Sequence, residues 1–268
     1  MTCVLPRIRL VTFDLLFTLV APRKPVHIQY AEIFAPYLGT LNPTLLKSSF
    51  KSALRQVRVE RPAFVQGTST WWGEVIRRTA LGGGADEQKL NQHLPEIVPA
   101  LLHRFSSREG YRAYEDVLPT LKTLRNSLRI PVAVVSNADN RMRSVTKDLE
   151  LFPFFDAFVL SDEAQVEKPS SQIYRLGLEQ CNASRSASSS SMDSPISLSE
   201  TLHIGDELDA DYQGAREAGM QALLLRRPDP EDTNPNIDTA TEDLRDVMSV
   251  RNLTEVVDWI RKRNALPE

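Results

Sequence analysis

The chain has no basic excess: 32 lysines and arginines face 35 acidic residues, for a formal net charge of −3. That balance supplies no general positive field for nucleic acid or acidic lipid, so neither is expected as a partner. No apolar run reaches the roughly 20 residues that a membrane-spanning helix needs. Strand-like sequence begins within about ten residues of Met1, which leaves little room for a secretory leader. The expectation is a soluble intracellular protein of the cytoplasm or nucleus, with mitochondrial import open. Cysteine is scarce. Cys3 and Cys181 stand in unrelated contexts and form no Cys-x-x-Cys pair, which argues against a zinc site or a disulfide framework. His27, His93, His103 and His203 form no ligand pattern, and no chemistry is assigned to them. There is no internal repeat.

What is present is length and pattern. With 268 residues the chain can bury a substantial core, as one large domain or as a core domain with a smaller partner. The organising stretch is Ile8 to Leu19. Its first half is a mostly apolar, strand-forming run of the kind buried on both faces of a parallel sheet. It ends on Asp14, followed by a short turn that holds Thr18. Open α/β sheets bind ligands at the C-terminal ends of their strands, so Asp14 is the first candidate for chemistry.

Residues from 21 to 113 read as helices without a convincing strand. Tyr30, Phe34 and Leu38 recur at helical spacing before Gly39, and Asn42-Pro43 is a helix start, with Asn as cap and Pro at the first helical position. Val75, Ile76 and Thr79 mark a third stripe and Ile97, Leu101 and Phe105 a fourth. Trp71 and Trp72 are most economically core residues of this helical part.

The pattern changes at Tyr111. Runs ending at Ser136-Asn137, Leu160, Gly205-Asp206 and Leu225 read as further strands separated by helices, which means βαβ units and a parallel sheet of five strands. Ala210, Gly214, Ala215 and Ala218 give one helix a small-residue face, and the Asn252 and Glu255 pair caps a final helix. Residues 183–199 are too polar and Ser-rich to pack and read as a flexible loop within the core; 228–243 also read as loop.

Four strand ends or turns thus carry polar groups: Asp14 with Thr18, Ser136 with Asn137, Lys168 before Pro169, and Asp206 with Asp211. In a parallel sheet they converge on one crevice. A carboxylate can attack phosphorus, hydroxyls and backbone N–H groups can hold phosphate oxygens, and a lysine can neutralise developing charge. Two carboxylates on adjacent strands suit Mg²⁺, a hard cation that prefers oxygen.

These four ordered segments, Asp14-Leu-Leu-Phe-Thr18, Val134-Val135-Ser136-Asn137, Glu167-Lys168-Pro169 and Gly205-Asp206-Glu-Leu-Asp-Ala-Asp211, resemble the motifs of the haloacid dehalogenase superfamily. The nearest likeness is to its eukaryotic haloacid dehalogenase-like hydrolase domain-containing protein 3 group, partly through Trp71-Trp72. The resemblance implies a Rossmann-like α/β core over residues 1–20 and 114–268 and an inserted α-helical cap over 21–113, whose residues would set specificity. It implies Asp14 as nucleophile, Ser136 and Lys168 as binders of the transferred group with Thr18 and Asn137 beside them, and Lys168 as a catalytic residue. It further implies Mg²⁺ held by Asp14, the backbone carbonyl of Leu16 and Asp206, with Asp211 as a further ligand or an anchor for one. The superfamily's phosphatases carry a general acid two residues after the nucleophile, where this chain has Leu16. The expected activity is hydrolysis of a small phosphorylated compound, weak for want of that acid. A catalytically impaired binding or assembly protein with a protein partner is the alternative, and metal-free 2-haloacid dehalogenation ranks lowest because of Asp206.

Overall fold

The computed structural model describes residues 6–61, 67–188, 194–228, 234 and 242–266. In chain order, β1 (Leu10–Phe13) and β2 (Val20–Pro22) precede four helices, α1 (Val26–Leu38), α2 (Pro43–Glu60), α3 (Thr68–Gly82) and α4 (Glu87–Arg104). Then come β3 (Tyr111–Ala113), α5 (Val117–Lys122), β4 (Val132–Ser136), α6 (Arg141–Asp148), β5 (Ala157–Leu160), α7 (Ser161–Ala164) and α8 (Ser171–Ser188). The last elements are β6 (Thr201–Gly205), α9 (Gly214–Glu217), β7 (Gln221–Leu225), β8 (Ser249–Val250) and α10 (Leu253–Ala265). Two compact units result: Met1–Ala21, Ala113–Asn140 and Glu150–Glu268 form one, and Pro22–Arg112 with Arg141–Leu149 the other.

The first unit is built on a six-stranded sheet in the order β5-β4-β1-β6-β7-β8, parallel throughout. All four residues of β1 are buried, as a strand covered on both faces requires. Val11 lies opposite Val132 of β4 on one side and Leu202 of β6 on the other. The chain runs from β1 outward through β4 and β5, then crosses back to β6 and out to β8, so strand order reverses at β1 and the crevice beyond its C-terminal end is the natural ligand position. A core of Val135, Val159, Ile173, Tyr174, Tyr212, Ala215 and Leu224 packs together. Gly177 lets α8 approach β4 closely: a Cβ there would come within 2.7 Å of Val135 Cγ2.

The second unit packs around Tyr30, whose ring lies 5.7 Å from Phe34, 5.2 Å from Phe50 and 5.7 Å from Phe105. Asn42 caps α2 by accepting N–H bonds from Thr44 and Leu45. Trp71 is buried and its Nε1 donates to the Arg61 carbonyl at 2.9 Å. Trp72 lies under the Arg141 guanidinium, 4.0 Å from its ring centroid. That stacking, with the Arg108 N–H donating to Asp148 at 2.6 Å, ties 141–149 to the helical unit, although their place between two strands of the core suggests packing on the sheet.

Three details differ from the sequence reading. β2 and β3 pair as a small two-stranded sheet where only helices are expected, because three-residue strands far apart in sequence leave no local period. The sheet has a sixth strand, β8, of two residues, again too short to show alternation. And α8 continues to Ser188, into the stretch read as loop from 183; serine on an exposed helix face is only mildly disfavoured, and Ala183 and Ala187 favour the helix. Residues 198–200 of that stretch form a short 3₁₀ turn opened by a Ser197–Glu200 capping box, while 189–193 lie outside the described residues, as do Cys3 and most of 228–243. Among the described residues no helix is long and apolar enough to cross a membrane.

Candidate active site

β1 delivers Asp14 to the C-terminal edge of the sheet, and its N–H donates to the Ile204 carbonyl of β6 at 2.9 Å. The turn after it is wound around one acceptor, the Leu15 carbonyl, which receives the N–H groups of Thr18, Leu19 and Val20. Phe17 sits at φ 61° within that turn. β6 delivers Asp206, and a widened, π-type helical segment, Leu208–Gln213, carries Asp211 back toward it. The carboxylates of Asp14, Asp206 and Asp211 each offer an oxygen within 4.8 Å of the others, and all three residues are buried.

Lys168 is the only lysine buried among the described residues. Its Nζ donates to Asp14 Oδ1 at 2.6 Å and to Asp211 Oδ1 at 2.6 Å. Asn137 holds the Lys168 backbone at both ends, accepting from its N–H at 2.7 Å and donating to its carbonyl at 2.9 Å. Asn137 therefore positions the lysine. The buried Ser136 hydroxyl makes no hydrogen bond among the described residues. Thr18 Oγ1 gives a long bond, 3.5 Å, to Asp206 Oδ1. The Leu16 side chain is half-buried, and its residue makes an isolated bridge with Val20. The exposed Asp209 takes no part.

Burial sets the protonation balance. It raises Asp14 to about 6 against the opposing pull of Lys168, with Asp211 adding to the rise. Asp206 is raised well above the usual carboxylate range by burial and then by the charges of Asp211 and Asp14. Asp211 moves the other way: burial opposes its ionisation, but the Lys168 charge and the His203 hydrogen bond outweigh that and hold it below the usual range. Lys168 is likewise penalised by burial, yet Asp14 and Asp211 keep its pKa above the ordinary lysine value.

The donor set fits a divalent cation. Asp206 Oδ2 is buried without a hydrogen-bond partner, a group expensive to leave unpaired. Three carboxylates share one ammonium, so a hard dication bound by oxygen would relieve both deficits. Asp14 and Asp206 have oxygens left for it. Asp211 is more fully engaged, because Oδ1 accepts from Lys168 and His203 and Oδ2 from the Glu207 N–H at 2.9 Å. Of the two expected roles for Asp211, these bonds fit the anchor.

Three supporting residues escape the sequence reading. His203, to which no chemistry was assigned, is fully buried and bridges Asp211 Oδ1 (3.0 Å from Nε2) and Thr12 Oγ1 (2.8 Å from Nδ1). A carboxylate can only accept, so Nε2 carries the hydrogen and Nδ1 accepts from the threonine. Burial lowers the His203 pKa despite the Asp211 bond, consistent with a neutral ring. Arg227 donates to the Thr18 carbonyl at 2.9 Å and to both oxygens of Asp116 at 3.1 Å, bracing the turn after Asp14. Arg226 donates to the Asp206 carbonyl. No sequence spacing connects these three residues to the site; the β1–β6 register that sets Thr12 beside His203 exists only in the folded sheet.

A sequence model of the haloacid dehalogenase-like hydrolases matches residues 8–219. The chain belongs to this family. Haloacid dehalogenase-like hydrolase domain-containing protein 3 of Danio rerio is 28% identical over 234 residues, covering 86% of this chain and 90% of the relative. Its Bos taurus counterpart is 26% identical over 263 residues, 97% of each. Among solved structures, a HAD phosphatase from Thermococcus onnurineus superposes with TM-score 0.55 at 18% identity over 94% of this chain and 98% of its own. The L-2-haloacid dehalogenase of Xanthobacter autotrophicus gives 0.61 at 19% over 95% and 98%. The HAD-hydrolase YfnB of Bacillus subtilis, bound to magnesium, gives 0.62 at 18% over 96% and 100%. At these identities the superpositions establish the haloacid dehalogenase-like fold.

Proposed function

We propose that this hydrolase is a Mg²⁺-dependent phosphatase of a small phosphorylated compound and works through a covalent intermediate on Asp14. The observation that carries the reading is Asp206, buried beside Asp14 with an orphaned oxygen. Metal-free carbon–halogen hydrolysis has no use for that group. Asp14, Asp206 and the Leu16 carbonyl would hold the cation, which supplies charge neutralisation at the phosphate oxygens. Lys168 fixes Asp14 through Oδ1, leaving Oδ2 to attack phosphorus. As the new oxygen–phosphorus bond forms, the ester bond breaks and the leaving oxygen keeps the electron pair. Ser136 and Lys168 bind the transferring group, and Thr18 and Asn137 support them. Water then attacks the phosphoryl-aspartate, releasing phosphate and restoring the carboxylate.

Leu16 favours a second reading, a family member whose site binds without turning over, because nothing at that position can protonate the leaving group. One assay separates them: hydrolysis of a phosphoester panel with and without Mg²⁺, for wild type, Asp14→Asn and Leu16→Asp. Turnover that requires Mg²⁺ and vanishes in Asp14→Asn is the expected result. A silent wild type with an active Leu16→Asp variant would instead establish the binding protein.

A further inference from the structure

Behind the carboxylates, the ring of His203 takes no part in the chemistry above, yet it touches the residue that holds Lys168. His203 stands opposite Thr12 in the β1–β6 pairing, and strand alternation carries that face on to Asp14 and Gly205, two residues further along each strand. Gly205 has no side chain to fill its place, and Asp211 does: a Cβ at Gly205 would lie 2.1 Å from Asp211 Cγ. There the Asp211 carboxylate meets the His203 ring and the Lys168 ammonium together. Its Oδ1 accepts from Nε2 at 3.0 Å and from Nζ at 2.6 Å.

The ring is held on its other sides as well. Thr12 Oγ1 lies 2.8 Å from Nδ1. Tyr174 of α8 packs edge-on against the imidazole, with centroids 5.3 Å apart and planes at 82°, and its hydroxyl donates to the carbonyl of Ala210, the neighbour of Asp211. Thr12, Tyr174, His203 and Asp211 are all buried. Core filling asks for less than this. A leucine would suit the apolar β6 run, whereas an imidazole brings two polar atoms whose burial is costly unless both are paired.

The pairing bears on the cation. Asp211 offers an oxygen within 4.8 Å of those of Asp14 and Asp206, close enough to compete for a dication. Each carboxylate oxygen has two lone-pair positions, and on Oδ1 the His203 and Lys168 bonds take both. Without the imidazole one of them would be open. Groups behind a metal site orient the carboxylates in front of them in this way.

We propose that His203 is a positioning residue: fixed by Thr12 and Tyr174, it keeps Asp211 turned to Lys168 and out of the cation's coordination. The inference rests on the Mg²⁺ site proposed above and adds which carboxylate stays outside it.

The Mg²⁺ dissociation constant of the whole chain, measured without substrate after stripping with EDTA, tests this. His203→Leu, which opens Oδ1, should bind Mg²⁺ at least threefold more tightly than wild type although it melts lower in EDTA. His203→Gln, whose amide nitrogen reaches the place of Nε2, should return to within twofold of wild type. His203→Asn is one bond too short to reach Asp211 and should follow His203→Leu. Thr12→Val leaves the ring in place and removes only the hydroxyl that fixes its tautomer; it should tighten Mg²⁺ binding in the same direction, and it keeps the test open if a substitution at 203 does not fold. Unchanged or weaker binding in His203→Leu and Thr12→Val, or equal behaviour of the Gln and Asn variants, would overturn the proposal and leave the ring as core filling. Absence of Mg²⁺ binding in wild type and every variant would instead overturn the cation site itself, and this inference with it.

Discussion

Leu16 puts a half-buried hydrocarbon two residues after Asp14, and a hydrocarbon can neither give nor take a proton. If the site is the phosphatase proposed above, substrates whose leaving group needs no proton, such as acyl or nitrophenyl phosphates, should be hydrolysed far better than alkyl phosphates. Leu16→Asp should raise kcat/KM for alkyl phosphates by on the order of 10²–10⁴ and change the acidic leaving groups little; a series of phosphoesters graded by leaving-group pKa measures it. Asp14 makes a second prediction. Its carboxyl is raised from 3.8 to about 6 in the fold, so between those values the folded chain holds more protons than the unfolded one and stability falls as pH rises. Asp206, also raised, acts in the same sense; Asp211, held low, withdraws its contribution only as pH falls below 3.8. In EDTA the melting temperature of wild type should therefore carry a component that declines from about pH 4 to about pH 6. Asp14→Asn should flatten it, and excess Mg²⁺ should restore stability at neutral pH. Most of these residues were legible in sequence because each ends a buried run. His203 was not, since its partners Thr12 and Asp211 come from a neighbouring strand and a later turn that no spacing rule connects.

The central strands could be read because covering both faces makes each a continuous apolar run, as in Val132–Ser136 and Thr201–Gly205, whose residues are all buried. Capped helices were equally readable: Asn42 and Asn252 do accept the N–H groups of their first turns. What escaped were elements made by pairing alone, β2, β3 and β8, and the true end of α8. Close approach between elements is also invisible in sequence, and Gly205 shows why it matters. A Cβ at the end of β6 would lie 2.1 Å from Asp211 Cγ, so that strand end and the Asp211 segment can meet only over a hydrogen. Gly205→Ala should displace Asp211 and with it Lys168. The expected result is a stability loss of about 1–3 kcal/mol, the usual range for overpacking, together with a smaller shift of melting temperature by Mg²⁺ than in wild type. Denaturant unfolding with and without the cation reads both.

Across the whole molecule, the candidate site gathers residues from position 14 to position 211 within the sheet-based unit. The order of the four segments made that assembly legible, where each alone is a commonplace turn. The substrate was not legible, because no group in the helical unit's sequence forms a pocket motif. Nor does kinship decide the chemistry, since the solved relatives include both a phosphatase and dehalogenases. That choice rests on Asp206, buried beside Asp14 with an oxygen left unpaired. The missing proton-transfer group at position 16 gives the account a distinctive kinetic signature: water attack on the phosphoryl-aspartate lacks a base, so the intermediate should accumulate. The most direct measurement is rapid acid quench of wild type with Mg²⁺ and an aryl phosphate, followed by peptide mass spectrometry. The account predicts a burst of leaving group that approaches one per chain, with the phosphoryl increment on the peptide carrying Asp14. Steady hydrolysis with no burst and no adduct on that peptide would contradict it.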